Sequence, residues 1–351
     1  MNNDSGSDKR NMVGLPTVRQ ALLAERVPGG IRCGLCRQRC VITEDEKGFC
    51  GTRMNIEGEL FTLVYGDIVS AESRPMEIKP FFHFHPGKST MTICSPSCNL
   101  RCPWCQNSPL SRAAPRPLRS RYVGMEEIIE AARAAGDIGL CVSFTEPTML
   151  FEYCLGLFRE ARSARMVNTF VSNGYMTPEA LHMLARAGLD AINIDVKGSD
   201  EVYREYCEGR EGDLPVWENI KGALELGLHV EVVHLVVTGL SDNEEAFREI
   251  CRKHLQFAGP AVPLHVTAYR PAHEYHKPAT SIGFLEYAYR AAKEAGILFP
   301  YIGNVPGHPY ENTYCPKCGE LLLERSGFRL ERDLTEEGRC NSCGYLLPIV
   351  W

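Results

Sequence analysis

Residues 95–107 read SPSCNLRCPWCQN and follow directly on a short apolar run, TMTIC. Cys98, Cys102 and Cys105 therefore stand in a C-x3-C-x2-C pattern on a tight loop at a strand end. Three thiolates so placed can hold three irons of a [4Fe-4S] cluster. No fourth cysteine sits at a matching spacing, so one iron would stay open, much as a catalytic zinc site keeps one position for its substrate. A structural zinc loop or a four-cysteine ferredoxin site is the alternative on spacing alone.

From residue 90 to about 304 the chain alternates strand, loop and helix. The strand candidates are TMTIC, LCVSF, VNTFVS, AINIDV, HVEVVHLVV and PLHVTAY. The clearest helices are GMEEIIEAARAAG, TPEALHMLARAG and SDNEEAFREICRKHL. In the second, Thr177 reads as N-cap, Pro178 as the first helical residue and Gly188 as the stop. In the third, Ser241 and Glu244 read as a capping box. Apolar strands alternating with amphipathic helices predict an α/β fold, a parallel sheet covered by helices. In barrels of this kind the chemistry gathers on loops at the C-terminal strand ends.

Eleven of the sixteen cysteines fall into three groups, which argues for metal or cluster ligation in a reducing compartment. Besides the loop above, Cys33, Cys36, Cys40 and Cys50 form a C-x2-C-x3-C-x9-C set suited to zinc or to a second iron–sulfur cluster. Near the end, Cys315-x2-Cys318 and Cys340-x2-Cys343 form two knuckles, each closed by a glycine, as in a structural zinc ribbon, or in a rubredoxin-like site if iron is bound. Cys94, Cys141, Cys154, Cys207 and Cys251 are scattered and read as small buried hydrophobes. These groups divide the chain into a disordered tail at 1–12, a four-cysteine segment at 13–75, the α/β part at 76–305 and a ribbon-like module at 306–351.

ELFTLVYGDIVSAE, residues 59–72, reads as a β-hairpin. In FFHFHPG, His83 and His85 alternate as on one strand face and read as packed, satisfied rings rather than as metal ligands. Arg112, Arg116, Arg119 and Arg121 lie in a Pro-rich loop and read as a solvated surface, with guidance of an anionic substrate as the alternative. A net charge of −6 gives no basic field for nucleic acid. No apolar run is long enough to span a bilayer, and the polar start MNNDSGSDKR has no signal-peptide core, so the expected location is the cytoplasm.

Three strand-end loops carry further polar groups. Thr145-Glu146-Pro147 follows LCVSF, and Ser172-Asn173-Gly174 follows VNTFV, where Asn-Gly also makes a good helix-entry turn. Asp195 and Lys197 lie two apart at the end of AINIDVKG and so share a face, as a structural ion pair or as a ligand contact.

The order of these pieces resembles one family over nearly the whole chain. The run KPFFHFHPG, CNLRCPWCQN, FTEPT, VSNGY, IDVKG and YIGNVPGHPYENTYCPKCG resembles the radical S-adenosylmethionine (SAM) enzymes of the AmmeMemoRadiSam system, themselves similar to pyruvate formate-lyase activating enzymes. The resemblance implies a partial (β/α)6 TIM-like barrel. It also implies a [4Fe-4S] cluster on Cys98, Cys102 and Cys105 whose open iron chelates SAM. Reductive cleavage then gives a 5′-deoxyadenosyl radical. It further places Trp104 near the adenine, Thr145, Glu146 and Pro147 at the SAM ammonium, Ser172 and Asn173 at its ribose or carboxylate, and Lys197 at its carboxylate with Asp195 beside it. Arg270 stands where close relatives tend to have a histidine, and a guanidinium pairs with anions but shuttles no protons. Val171 replaces an aspartate of a cation site, and Ser97 replaces the usual glycine before the first cluster cysteine. An electron donor such as a flavodoxin or ferredoxin and a protein or peptide substrate are implied. A glycyl-radical activating enzyme and a non-enzymatic iron–sulfur or zinc scaffold are the alternatives.

Overall fold

The computed structural model describes residues 12–327 and 329–351; the tail expected to be disordered lies, except for Met12, outside them. The chain begins with two small antiparallel sheets. Strands β2 (Ala24–Val27), β3 (Gly30–Cys33) and β4 (Val41–Ile42) form one. Strands β1 (Arg19–Gln20), β5 (Arg53–Ile56) and β6 (Glu59–Thr62) form the other, with β6 central. Glu57 and Gly58 join β5 to β6, both at positive φ (53° and 77°), the conformation a two-residue hairpin turn needs. The hairpin expected at 59–72 is therefore not formed. Its first half pairs backwards with β5, and its second half leaves as β7 (Ser70–Pro75) for another sheet.

That sheet has eight strands in strict chain order, β7 to β14. Strands β8 (Ser89–Cys94), β9 (Gly139–Val142), β10 (Val167–Ser172), β11 (Ala191–Val196), β12 (His229–Val236), β13 (Leu264–Ala268) and β14 (Pro300–Gly303) run parallel, and β7 is an antiparallel edge. The first six parallel strands match the six expected, and β14 is a seventh of four residues, PYIG, too short to announce itself. After α1 (Ser108–Ser111), six helices fill the crossovers: α2 (Met125–Ala135), α3 (Phe151–Ser163), α4 (Pro178–Ala187), α5 (Leu214–Glu225), α6 (Glu244–Phe257) and α7 (Ile282–Ala295). Laid flat, eight strands would span roughly 34 Å. Yet Arg74 of the first strand and Asn304 just past the last line one cavity of about 310 Å³, so the sheet is curled.

Helix α4 starts and stops as its residues dictate. The Thr177 hydroxyl accepts the Ala180 N–H, Pro178 opens the first turn, and Gly188 leaves in the left-handed region. The capping box expected at α6 is absent: Asn243 caps the helix, and the Ser241 hydroxyl instead accepts the Val237 N–H.

The strands' N-terminal end is closed by FFHFH, which is an irregular strap and not a strand. The His83 ring is satisfied, 2.7 Å from the Tyr301 hydroxyl. Buried Glu231 of β12 accepts the backbone N–H groups of Phe82 and His83 and sits 2.7 Å from His265. On this strap docks the C-terminal sheet of β15 (Thr313–Tyr314), β16 (Leu321–Ser326) and β17 (Arg329–Arg332). Buried Arg325 donates to the Phe82 carbonyl and lies 4.0 Å over that ring.

Buried histidines set a pH dependence. Burial pushes His83 down to about 3, and His234 and His254 down to about 4. In the unfolded chain such rings titrate near 6.5, so below that pH the unfolded state binds the extra protons. The stability each neutral ring contributes is complete above about pH 6.5 and is lost as pH falls toward the folded value, by about 1.4 kcal/mol per pH unit. Urea unfolding at pH 7 and pH 5 checks this: His254→Leu should show a shallower loss than the native chain, whereas equal slopes would remove the ring from the account.

Candidate active site

The loop after β8 holds the three cysteines in a fixed backbone. Ser97 adopts φ 82°, a region that favours glycine, and is tied there by its N–H to the Leu110 carbonyl (3.0 Å) and its hydroxyl to the Cys50 carbonyl. Each sulfur has a polar neighbour. Cys98 Sγ accepts the Leu100 N–H at 3.4 Å and faces Asn173 Nδ2 at 3.6 Å. Cys105 Sγ lies 3.2 Å from the Ser111 hydroxyl, and Cys102 Sγ 3.1 Å from Cys207 Sγ. All three cysteines line the cavity at the C-terminal strand ends, which also takes in Trp104, Thr145 and Glu146.

The loop after β9 carries Glu146, fully buried. Its carboxylate accepts the Thr148 N–H and hydroxyl, the Ser172 hydroxyl (2.8 Å) and the Asn173 N–H (2.8 Å). Burial raises its pKa, and those donors pull it back only in part. Glu146 thus ties the β9 and β10 loops together, a larger structural share than the sequence implied. Pro147 opens the short 3-10 turn Pro147–Leu150 and lies outside the cavity lining. Thr145 donates to the Ser95 carbonyl at 2.7 Å.

After β10, Ser172 and Asn173 reach the cavity. Asn173 Oδ1 accepts the Tyr175 N–H at 2.9 Å, and its amide bridges to Asn99 Oδ1 at 2.7 Å. Gly174 has φ 66°, and a Cβ there would meet Ile194 Cγ2 at 2.7 Å, so this position requires glycine. After β11, Lys197 Nζ pairs with Asp195 Oδ2 at 2.7 Å, and both line the cavity. Burial works against the ammonium, but Asp195 and Cys102 outweigh it and hold Lys197 well above its ordinary pKa.

Arg270 stands apart from this constellation: it is exposed and donates to the Asn304 carbonyl at 3.3 Å. Asn304 lines the cavity in its place, at φ 62° with its amide on the Ala268 carbonyl. Of the arginine loop, Arg112 reaches the cavity, while Arg121 is an exposed partner of Glu127. Cys207 carries no local signal beyond that of a small hydrophobe, and only the fold brings it to Cys102. Lys79 also lines the wall, buried, with its ammonium on the Arg74 carbonyl at 2.8 Å.

Elsewhere, the sulfurs of Cys315, Cys318, Cys340 and Cys343 lie within 4.8 Å of one another, with Cys315–Cys343 at 3.5 Å and Cys318–Cys340 at 3.6 Å. Zn–S bonds of about 2.3 Å ask for tetrahedral edges of about 3.8 Å, so the set fits one such ion. No helix among the described residues is long and apolar enough to cross a membrane.

Comparison with known proteins bears on this site. The model of the radical SAM superfamily matches residues 92–254. A protein of Methanocaldococcus jannaschii named only as uncharacterized is 38% identical over 338 residues, covering 95% of this chain and 100% of its own length. A GTP 3′,8-cyclase of Moorella thermoacetica is 26% identical over 66% of this chain and 76% of its own. Among solved structures, a domain of a pyruvate-formate lyase-activating enzyme from Bacteroides vulgatus aligns over 47% of this chain and 99% of that one, with 13% identity and a TM-score of 0.41. Streptococcus suis SuiB bound to S-adenosylmethionine aligns over 65% and 55%, with 13% identity and a TM-score of 0.48.

Proposed function

We propose that this chain, whose residues 92–254 match the model of the radical SAM superfamily, cleaves SAM reductively at a [4Fe-4S] cluster on Cys98, Cys102 and Cys105 and acts on a protein or peptide substrate. The observation that carries this is the convergence of the three cysteines with Trp104, Asn173, Asp195 and Lys197 on one cavity. When bound, the cluster and SAM would supply the hard chemistry, one-electron reductive cleavage of a C–S bond of SAM to methionine and a 5′-deoxyadenosyl radical. The chain's own residues bind and orient. Lys197 offers its ammonium to the SAM carboxylate, already aimed by Asp195. Buried Trp104, edge-on to Tyr275 at 5.8 Å, gives the adenine a rigid apolar wall. Cys207, Asn173 and Ser111 set the polarity around the sulfurs.

We read the curled sheet as the partial (β/α)6 barrel of this superfamily, and the C-terminal set as a structural zinc ribbon. Exposed Ile78 and half-buried Arg74, the partner of Glu72, lie at the cavity wall and give a partner chain an apolar and a cationic contact. A flavodoxin- or ferredoxin-class protein in the cytoplasm supplies the electron.

Anaerobic incubation with SAM and dithionite should yield methionine and 5′-deoxyadenosine in equal amounts; no cleavage by cluster-loaded protein would leave only the scaffold reading. A glycyl-radical EPR signal in a mixed partner assay would instead assign the activating-enzyme reading.

Lys197→Ala should weaken SAM binding roughly ten- to a hundred-fold, the loss of one charge-assisted contact of about 1.5–3 kcal/mol. Calorimetric titration of cluster-loaded protein checks it. An unchanged dissociation constant with the fold intact would make Asp195 and Lys197 a structural pair alone.

A further inference from the structure

The N-terminal cysteines come from three separate turns. Cys33 ends β3, Cys36 and Cys40 lie in the loop before β4, and Cys50 lies in the turn before β5. All four converge on one apolar cavity closed by Ile42 and Met149. Each sulfur already meets a donor. The Leu35 and Gln38 N–H groups point at Cys33 and Cys36. The Phe49 N–H lies 3.4 Å from Cys40 Sγ, and the Thr52 hydroxyl 3.1 Å from Cys50 Sγ.

Arg53 lines the same cavity and is 1% exposed. One of its nitrogens donates to Glu152 at 2.8 Å, while Nε and Nη2 are buried with no partner. A guanidinium is acceptor-hungry, and buried donors without acceptors are costly. Its charge faces Cys33 and Cys50. An anionic occupant with several sulfur acceptors would satisfy it.

Size separates the candidate occupants. Among the described residues, the set of three or more ligand atoms drawn within 4.8 Å of one another is the C-terminal one. The N-terminal sulfurs share a cavity but are not gathered to the spacing of a single ion. A four-iron cube holds its thiolates farther apart than a lone zinc with its edges of about 3.8 Å.

We propose that Cys33, Cys36, Cys40 and Cys50 hold a second [4Fe-4S] cluster, with a thiolate on every iron and Arg53 donating to its sulfurs. With no open iron it takes no SAM. It is bolted to the loop of the first: Cys50 accepts the Ser97 hydroxyl, Arg101 donates to the Phe49 carbonyl at 2.8 Å, and Gln38 to the Asn99 carbonyl at 2.9 Å.

The test uses the full chain, prepared anaerobically, with Cys98, Cys102 and Cys105 all replaced by alanine. Iron, sulfide and zinc are counted, and Mössbauer and EPR spectra are taken with and without SAM. The expected result is one cluster's complement of iron and sulfide, a spectrum that SAM does not change, and one zinc per chain. No cluster and two zinc ions per chain would overturn it. Should the triple variant fail to fold, Cys33→Ala with Cys36→Ala in the otherwise native chain should halve the iron and keep the SAM-responsive signal; undiminished iron there would overturn it equally. The SAM reading fails separately, on a native chain whose spectrum ignores SAM.

Discussion

Replacing Cys98, Cys102 and Cys105 together by alanine should abolish formation of methionine and 5′-deoxyadenosine from SAM. The three sulfurs are the cavity's cysteine ligands on the loop after β8, and without them nothing there anchors an iron whose open position could take SAM. The loop should survive the change, because its fold does not rest on metal. The Ser97 ties to Leu110 and Cys50, the Arg101 ties to the Cys98 and Phe49 carbonyls, and the Asn173–Asn99 bridge involve no sulfur. Thermal unfolding near the native midpoint, with product below detection, is the expected pair of results. Undiminished cleavage by this variant would place the chemistry elsewhere.

Stripping metal from the C-terminal set should unfold residues 312–351 while SAM cleavage persists. The module's own core is small: Cys315, Leu322, Cys340 and Leu347 are its buried apolar cluster, and two of these are ligands. In so small a unit metal binding, worth about 10–16 kcal/mol in zinc-finger peptides, is folding free energy. The module nevertheless reaches into the closed end of the eight-stranded sheet. The Thr313 hydroxyl meets the Tyr301 hydroxyl at 2.9 Å, Val350 exchanges backbone bonds with the strap at His83 and His85, and Arg325 covers Phe82. Hydrogen exchange should therefore rise not only in β15–β17 but also across Phe82–His85. The cavity of Cys98, Cys102 and Cys105 lies at the opposite strand ends and should be spared. Doubly substituting Cys318→Ser and Cys343→Ser gives the same test without a chelator that could strip iron. Loss of cleavage by a variant that keeps its cluster and its α/β fold would make the tail part of the active site.

Much of the α/β alternation was legible, because local signals agree with the tertiary environment there. TPEALHMLARAG carries its start, its first residue and its stop, and the structure uses all three. Where several polar residues compete, local reading chose the wrong one: Ser241 and Asn243 can both cap, and the chain spends Ser241 on Val237. The 59–72 hairpin failed because strand pairing is non-local. Residues 70–75 find a longer partner in β8 than β6 could offer. FFHFH alternates like a strand, but the backbone donors of Phe82 and His83 go to the Glu231 carboxylate, a partner some 150 residues away that no spacing reveals.

Site residues were legible where a strand-end motif announced them and hidden where they act alone. Lys197 and Asn173 stand in such motifs and reach the cavity; Arg270 follows a strand too, yet its side chain turns out to solvent and Asn304 fills the wall. Cys207 caps the short π-helical turn Val202–Tyr206, 105 residues from Cys102, and nothing in its neighbours marks it. The departure at Ser97 has a physical reading only in the structure. A positive φ that suits glycine is kept by a serine whose hydroxyl fastens the cluster loop to the N-terminal four-cysteine segment.

The central claim is an iron on the Cys98–Cys105 loop that is open to SAM. The most direct measurement is low-temperature EPR of the anaerobic, dithionite-reduced full chain before and after SAM is added. The account predicts that part of the [4Fe-4S]⁺ signal, the part lost in the triple alanine variant, changes its g-values when SAM binds. A reduced spectrum that SAM leaves unchanged, in protein carrying its full iron, would contradict it.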